Sequence, residues 1–362
     1  MPGWINSLQC FLLCKIVKNL DLWAAIINKN RFDYIDALRV VGAMVVISFH
    51  YFSNGISNGT VTSIELTPFS EIAKYGYLGV QLFFVVSGYL ILMSTNRSAW
   101  QFAKGRIRRI YPLYWMAIIL ITAITYLPTL SKSQPDFLQF LANITMFPTA
   151  FDQGWIDGAH WFMLVEIQLY LFIFILLKLR AGKHLPTIFP IWAIVIFIWY
   201  LFDLNRFNIW YLYGSFSFIC GGAIIYSIKQ WGWNPLRIIG LLAAIGGGLY
   251  SRIGSLERLS KIRNTEYSTT VVSVIVLIIF GLLLLTLLPK VSNIHIPGAV
   301  FFGAITYPLF LIHGRLGYMA LERFATEQNK YFVYSLLIIL AISIAYLMLQ
   351  LDRRIQKILS RF

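Results

Sequence analysis

Charge is what this chain has least of. Lys, Arg, Asp and Glu together make up 12% of its 362 residues, and only 15 residues are acidic. A soluble globular domain carries about twice that charged fraction, so a water-soluble fold is excluded. Disorder is excluded by the opposite excess, since 58% of positions are hydrophobic and 16% aromatic, with a mean hydropathy of +0.70. Cysteine is scarce too. Cys10 and Cys14 precede the first long apolar run and Cys220 lies inside one. The CxxxC spacing lacks a second ligand pair, so neither a disulfide framework nor a metal site is expected. No internal repeat, low-complexity stretch or Gly/Ser-rich linker divides the chain.

What is present is a series of apolar runs of membrane-crossing length. Ten helices of roughly 20 residues would use ~200 positions, close to the apolar content. The runs fall at 33–53, 78–96, 110–128, 159–179, 185–202, 209–228, 235–250, 269–289, 297–318 and 331–350. The expectation is an all-α polytopic membrane protein with about ten transmembrane helices. Residues 1–30 form an N-terminal cytoplasmic or interfacial segment, 31–352 the membrane domain, and 353–362 a basic cytoplasmic tail. Residues 1–30 mix apolar stretches with Lys15, Lys18 and Lys29 and carry no small-residue cleavage site. They read as an interfacial amphipathic helix, not a signal peptide.

The net charge of +15 needs no nucleic acid, because cytoplasmic loops and anionic headgroups account for basic residues. With the N-terminus inside, 19 of the 30 Lys and Arg fall in cytoplasmic segments and nine in outer ones. Both termini are therefore placed in the cytoplasm. The segment 251–266 fits this badly, because it puts four of the nine outer cations in one loop. The run before it is short and contains Gly246, Gly247 and Gly248, so a re-entrant segment is an alternative to a full crossing there.

Ionisable residues inside the apolar runs concentrate in three of them: Asp36, Arg39 and His50 in the first, His160 and Glu166 in the fourth, His313 and Arg315 in the ninth. A charge at the bilayer centre costs ~2.5–3.5 kcal/mol on insertion scales. Such residues face a cavity or one another, and their restriction to three helices suggests one shared polar site. Arg39 and His50 are eleven residues apart, which returns a helix to within ~20° of the same face after roughly 16 Å. Gly42, Ala43 and Val46 between them leave room for a groove holding an elongated ligand. His50 reads either as a functional imidazole or as a neutral one bonded to a neighbouring helix. The segment Phe102-Ala-Lys104-Gly-Arg106-Ile-Arg108-Arg109 reads as an ordinary basic cytoplasmic loop or as a phosphate-binding patch. Glu166, flanked by Phe162 and Tyr170, needs a cation or imidazole partner, with Arg39, His50 and Arg315 as candidates. Asp152, Trp155 and Asp157 in an outer loop suit a sugar, although interfacial aromatics also form lipid-facing belts.

At these residues the pattern resembles the acyltransferase 3 family of integral-membrane acyltransferases, which includes O-acetyltransferases of bacterial surface polysaccharides. The resemblance runs through Arg31-Phe-Asp-Tyr-Ile-Asp36-Ala-Leu-Arg39 to His50, then Gly79-Val-Gln-Leu-Phe-Phe-Val-Val-Ser87-Gly88-Tyr89. It continues through Arg106-x-x-Arg109 before Ile-Tyr-Pro112-Leu-Tyr114-Trp115, the Trp161-x4-Glu166 segment, and Tyr307-Pro308…His313. It covers roughly residues 31–350. Ala37 follows Asp36 where the family usually has Gly, and Gln81 stands where an aromatic is common.

The resemblance implies ten transmembrane helices in a bacterial inner (cytoplasmic) membrane. It also implies acyl-CoA, most often acetyl-CoA, as a donor bound from the cytoplasm, and a glycan hydroxyl, free or lipid-linked, as acceptor. No metal is implied. His50 would be the catalytic histidine, oriented by Glu166 or Asp36. Arg39, Arg106, Arg109 and Ser87 would bind the donor, and Trp155, Trp161, Tyr307 and His313 would line the acceptor site. Some relatives carry an additional extracytoplasmic domain that this chain is too short to contain, so it works alone or with a separate acceptor-recognition partner. The competing reading is a polytopic exporter of an anionic solute. Against it, the sequence shows no repeated halves and no paired broken helices.

Overall fold

The computed structural model describes residues 32–359 apart from 128, 131–132 and 205–208. The expected interfacial helix over 1–30, with Cys10 and Cys14, lies outside the described residues, as does Arg31. Helices account for the regular structure, and no strand occurs among the described residues. The ten long helices are α1 (Asp33–Phe49), α2 (Gly79–Met93), α3 (Ala99–Thr125), α4 (Trp161–Lys178) and α5 (Leu185–Leu201), followed by α6 (Gly214–Trp231), α7 (Pro235–Gly254), α8 (Thr269–Leu284), α9 (Ala299–Phe324) and α10 (Lys330–Leu359). Each corresponds to one of the ten apolar runs, and the chain is an all-α polytopic membrane protein.

Nine helical stretches among the described residues are long and apolar enough to cross a membrane. The tenth helix, α6, falls short on apolarity for a structural reason. Its sequence GSFSFICGGAIIYSIKQW holds Gly214, Ser215, Ser217, Gly221 and Gly222 in its first half, and 14 of its 18 residues are buried. It packs against α2, α5, α7 and α8, so it faces protein instead of lipid, and small residues let backbones approach. A Cβ at Gly88 of α2 would land on the Ile219 carbonyl of α6, and one at Gly222 would land on the Val85 carbonyl of α2.

Three local features depart from the apolar runs. First, α3 begins eleven residues early, at Ala99, because Ser98 caps it: its Oγ accepts from the Gln101 N–H, and the Gln101 side chain accepts from the Ser98 N–H at 3.2 Å. The basic segment 104–109 is therefore the first part of a helix and not a loop. Second, α7 is a continuous 20-residue helix through all three glycines, about 30 Å long at 1.5 Å per residue, which matches a full crossing and not a re-entrant segment. Third, α1 does not run on regularly to residue 53. It passes at His50 into a π-helical segment, His50–Asn54, and then into Gly55–Ser57. At the other end of the chain, the basic residues Arg353, Arg354 and Lys357 continue α10.

The expected groove along α1 is filled. Ala43 and Val46 are buried, and a Cβ at Gly42 would sit 3.2 Å from the Phe83 ring of α2. Gly42 and Gly79 let α1 and α2 pack closely, so these small residues serve helix packing and leave no room for a ligand.

Gly88→Ala is expected to destabilise the protein by about 2 kcal/mol or more, because a backbone carbonyl must move. Gly105→Ala, whose Cβ meets nothing within 4 Å on the exposed side of α3, is expected to be neutral or to stabilise by up to about 1 kcal/mol. Thermal unfolding in detergent measures both.

Candidate active site

A cleft with a cavity volume of about 100 Å³, partly open to solvent, lies between α1, α2, α3, α4 and α9. It gathers residues from all five motifs that carry the family resemblance. Its polar lining consists of Arg39, Ser87, Arg106, Arg109, Glu166, Tyr170, Thr306 and Tyr307. All four residues expected to bind the donor are thus brought together.

Each is held by a specific contact. Arg39 Nη1 donates to Asp36 Oδ1 at 2.9 Å, with both residues buried. Gly303 of α9 makes room for that carboxylate, since a Cβ there would lie 2.6 Å from Asp36 Oδ1. The Arg106 guanidinium lies between the Phe102 and Tyr170 rings, at 5.1 and 5.0 Å, and donates to Ser94 Oγ. Arg109 stands exposed at the mouth. Tyr307 Oη donates to the Ile110 carbonyl at 3.1 Å, tying α9 to α3. Ser87 Oγ donates to Glu166 Oε1, while Glu166 Oε2 is buried with no partner. Neither Arg106 nor Arg109 meets a carboxylate at ion-pair distance among the described residues. The lining holds three guanidiniums against the one carboxylate of Glu166, an excess of positive charge suited to phosphate.

The histidines occupy the other end. His50 Nδ1 is hydrogen-bonded to Tyr318 Oη, which also accepts from Asn54 Nδ2 at 2.6 Å. Asn54 reaches this oxygen from the last position of the π-helical segment that His50 begins, an irregularity frequent at functional sites. The His313 ring packs edge-on to His50 with centroids 4.9 Å apart. His313 Nδ1 donates to the Phe310 carbonyl at 2.8 Å, and its Nε2 is buried without a partner. Because a carbonyl only accepts, neutral His313 presents a bare Nε2 lone pair.

Between cleft and histidines stands Phe310. Its ring touches His313 (5.1 Å) on one side and Phe83 (5.6 Å) and Phe162 (4.2 Å) on the other, and all three phenylalanines line the cleft. The sequence placed His50, Glu166 and Asp36 in one constellation. The structure separates them: Glu166 bonds Ser87, Asp36 bonds Arg39, and the partner of His50 is Tyr318.

Other expected residues take different places. Trp161 is 40% exposed and packs on Phe84. Five residues from Glu166, it points about 140° away, outside the cleft. Trp155 is half-buried and lines neither the cleft nor the histidine pair. Asp157 braces α9. Its Oδ2 accepts from the Arg315 N–H at 2.7 Å and its Oδ1 from the Ala159 N–H at 2.8 Å. Its carboxylate occupies the space a Cβ at Gly314 would fill. His160 Nε2 donates to the Leu311 carbonyl at 2.7 Å. Arg315 spans to the Ile156 and Ser133 carbonyls. Sequence reasoning missed Tyr318, Asn54 and Phe310, which carry no local signal and owe their roles to where α9 crosses α1. Among the described residues, no group of three His, Cys, Asp or Glu could hold a metal ion.

The cleft thus gathers three guanidiniums on one side of Phe310, with the two imidazoles of His50 and His313 beyond it. The sequence profile of the acyltransferase 3 family, an acyltransferase domain, matches residues 32–350, and the chain belongs to that family. It is an integral-membrane acyltransferase, and the exporter reading falls away. No curated protein and no solved structure matches it.

Tyr318→Phe removes the oxygen shared by His50 and Asn54. It is expected to lower turnover by about 10–100-fold while leaving the KM for the acyl donor unchanged, as read by label transfer from the donor.

Proposed function

We propose that the chain moves an acyl group, acetyl in the first instance, from acyl-CoA to a hydroxyl of a cell-envelope glycan across a bacterial cytoplasmic membrane. The observation that supports this most is the placement of Arg39, Arg106 and Arg109 around one cleft that ends at Phe310 and the His50–His313 pair. Guanidinium forks match the phosphates of a nucleotide-bearing thiol. The basic start of α3 argues for a cytoplasmic donor side.

In this reading His50 is the base. With its proton on Nδ1 and donated to Tyr318 Oη, its Nε2 is free to take the proton of the acceptor hydroxyl as the oxygen attacks the thioester carbonyl. The new C–O bond forms, the C–S bond breaks, and the imidazolium returns its proton to the departing thiolate. Tyr318 and Asn54 fix the ring, and His313 packs beside it as a second imidazole. Glu166 holds Ser87 in the cleft wall.

Purified protein with radiolabelled acetyl-CoA and a cell-envelope polysaccharide fraction tests this. Wild type is expected to transfer label. His50→Ala is expected to lose at least about 100-fold of that activity while still binding acetyl-CoA, and Arg106→Ala to weaken donor binding by about tenfold or more. Normal transfer by His50→Ala would contradict the mechanism.

A further inference from the structure

Two arginines of the basic segment 251–266, which sits badly with the charge distribution, reach the far end of α1 from Arg39. Arg263 ends a short helix, Leu256–Arg263, and its guanidinium lies over the rings of Phe49 (4.7 Å) and Tyr77 (4.6 Å). Phe49 in turn packs edge-on to His50 at 5.0 Å, so Arg263 is one aromatic ring from the candidate base. Its only hydrogen bond among the described residues is to Tyr267 Oη, at 3.3 Å.

Arg252, in the last turn of α7, reaches the same place. Its Nη2 donates to Ser251 Oγ at 2.9 Å. Its Nη1 donates to Gln81 at 3.2 Å in the amide orientation that also lets Gln81 donate to the Tyr77 carbonyl. Its Nε is buried without a partner, and so is the Tyr77 hydroxyl. The two guanidiniums lie within electrostatic range of each other and of Arg258, and among the described residues no carboxylate pairs with either.

Like charges held together without a counter-ion are costly, and a buried unsatisfied donor such as Arg252 Nε adds to that cost. Gln81, where the family commonly has an aromatic, is the residue that holds Arg252 in place. The missing member of this arrangement is an anion.

We propose that Arg252 and Arg263, with Tyr77, form a site for a negatively charged group, a carboxylate or a phosphate, carried by the hydroxyl acceptor. The inference rests on the reading of His50 as the acceptor-side base. It assigns the acceptor to acidic glycans, with the anion held beside the attacking hydroxyl.

The test follows thermal unfolding of the full chain in a neutral detergent, with methyl glucuronoside, inorganic phosphate, methyl glucoside or acetyl-CoA added. Wild type is compared with Arg252→Gln, Arg263→Gln, Arg263→Lys and Arg106→Gln. Both anions are expected to raise the unfolding temperature of wild type and of Arg106→Gln, whereas methyl glucoside has no effect. In Arg252→Gln and Arg263→Gln the methyl glucuronoside concentration required rises about tenfold or more, while acetyl-CoA still stabilises them. Arg263→Lys keeps the charge and most of the response, which separates loss of charge from loss of fold.

The proposal is overturned if methyl glucuronoside does not stabilise wild type, or if its effect survives both glutamine variants. A response confined to added phosphatidylglycerol would assign the cluster to a lipid headgroup and also overturn it. Stabilisation by anions but not by acetyl-CoA would sink the donor reading and leave this site standing.

Discussion

An ionisable side chain among apolar helices has to be met by a partner or by a ligand, and this requirement organises the molecule. Asp36 meets Arg39, with Gly303 giving up its side chain to admit the carboxylate. Asp157 and His160 meet the backbone of α9, with Gly314 making the same concession. These contacts fix where α9 lies against α1 and α4, and so fix His313 and Tyr318 against His50. Among the buried polar atoms left without partners are Glu166 Oε2, His313 Nε2, Arg252 Nε and the Tyr77 hydroxyl. The first two belong to the cleft and to the histidine pair behind it. The last two belong to the basic cluster beyond His50.

The helices were legible because an apolar run of about 20 residues matches the thickness of a bilayer's hydrocarbon core. The boundaries that moved did so for local reasons. Hydropathy cannot see a capping box, so the start of α3 at Ser98 was lost in the basic segment that follows it. Hydropathy also undervalues α6, whose glycines and serines serve backbone contact with α2. The π-helical segment at His50 leaves no mark on composition. Arg39 and His50 do belong to one helix, but the small residues between them seat α2 and leave no groove.

The cleft residues were legible for a different reason: Arg39, Ser87, Arg106 and Arg109 sit in the segments that carry the family resemblance, and the structure converges them on one cleft. The surroundings of His50 were not legible. A carboxylate was the natural expectation for orienting a base, and the sequence offers Glu166 and Asp36. Tertiary packing assigns both elsewhere and supplies a tyrosine from α9, 268 residues away in the chain. Asp157 looked like a sugar ligand in a loop, yet it is a buried brace, because an acceptor for the Arg315 N–H was needed at that level of α9.

Positive charge and a cleft lie on one side of Phe310 and the imidazoles on the other. The proposed mechanism has donor and acceptor approaching from opposite faces of the membrane. The most direct measurement reconstitutes the protein in one orientation in sealed vesicles, with acetyl-CoA and a membrane-impermeant hydroxyl acceptor supplied on the same face or on opposite faces. Transfer of label only when the two are on opposite faces is the predicted result. Transfer with both reactants on one face and none across the membrane would contradict the account.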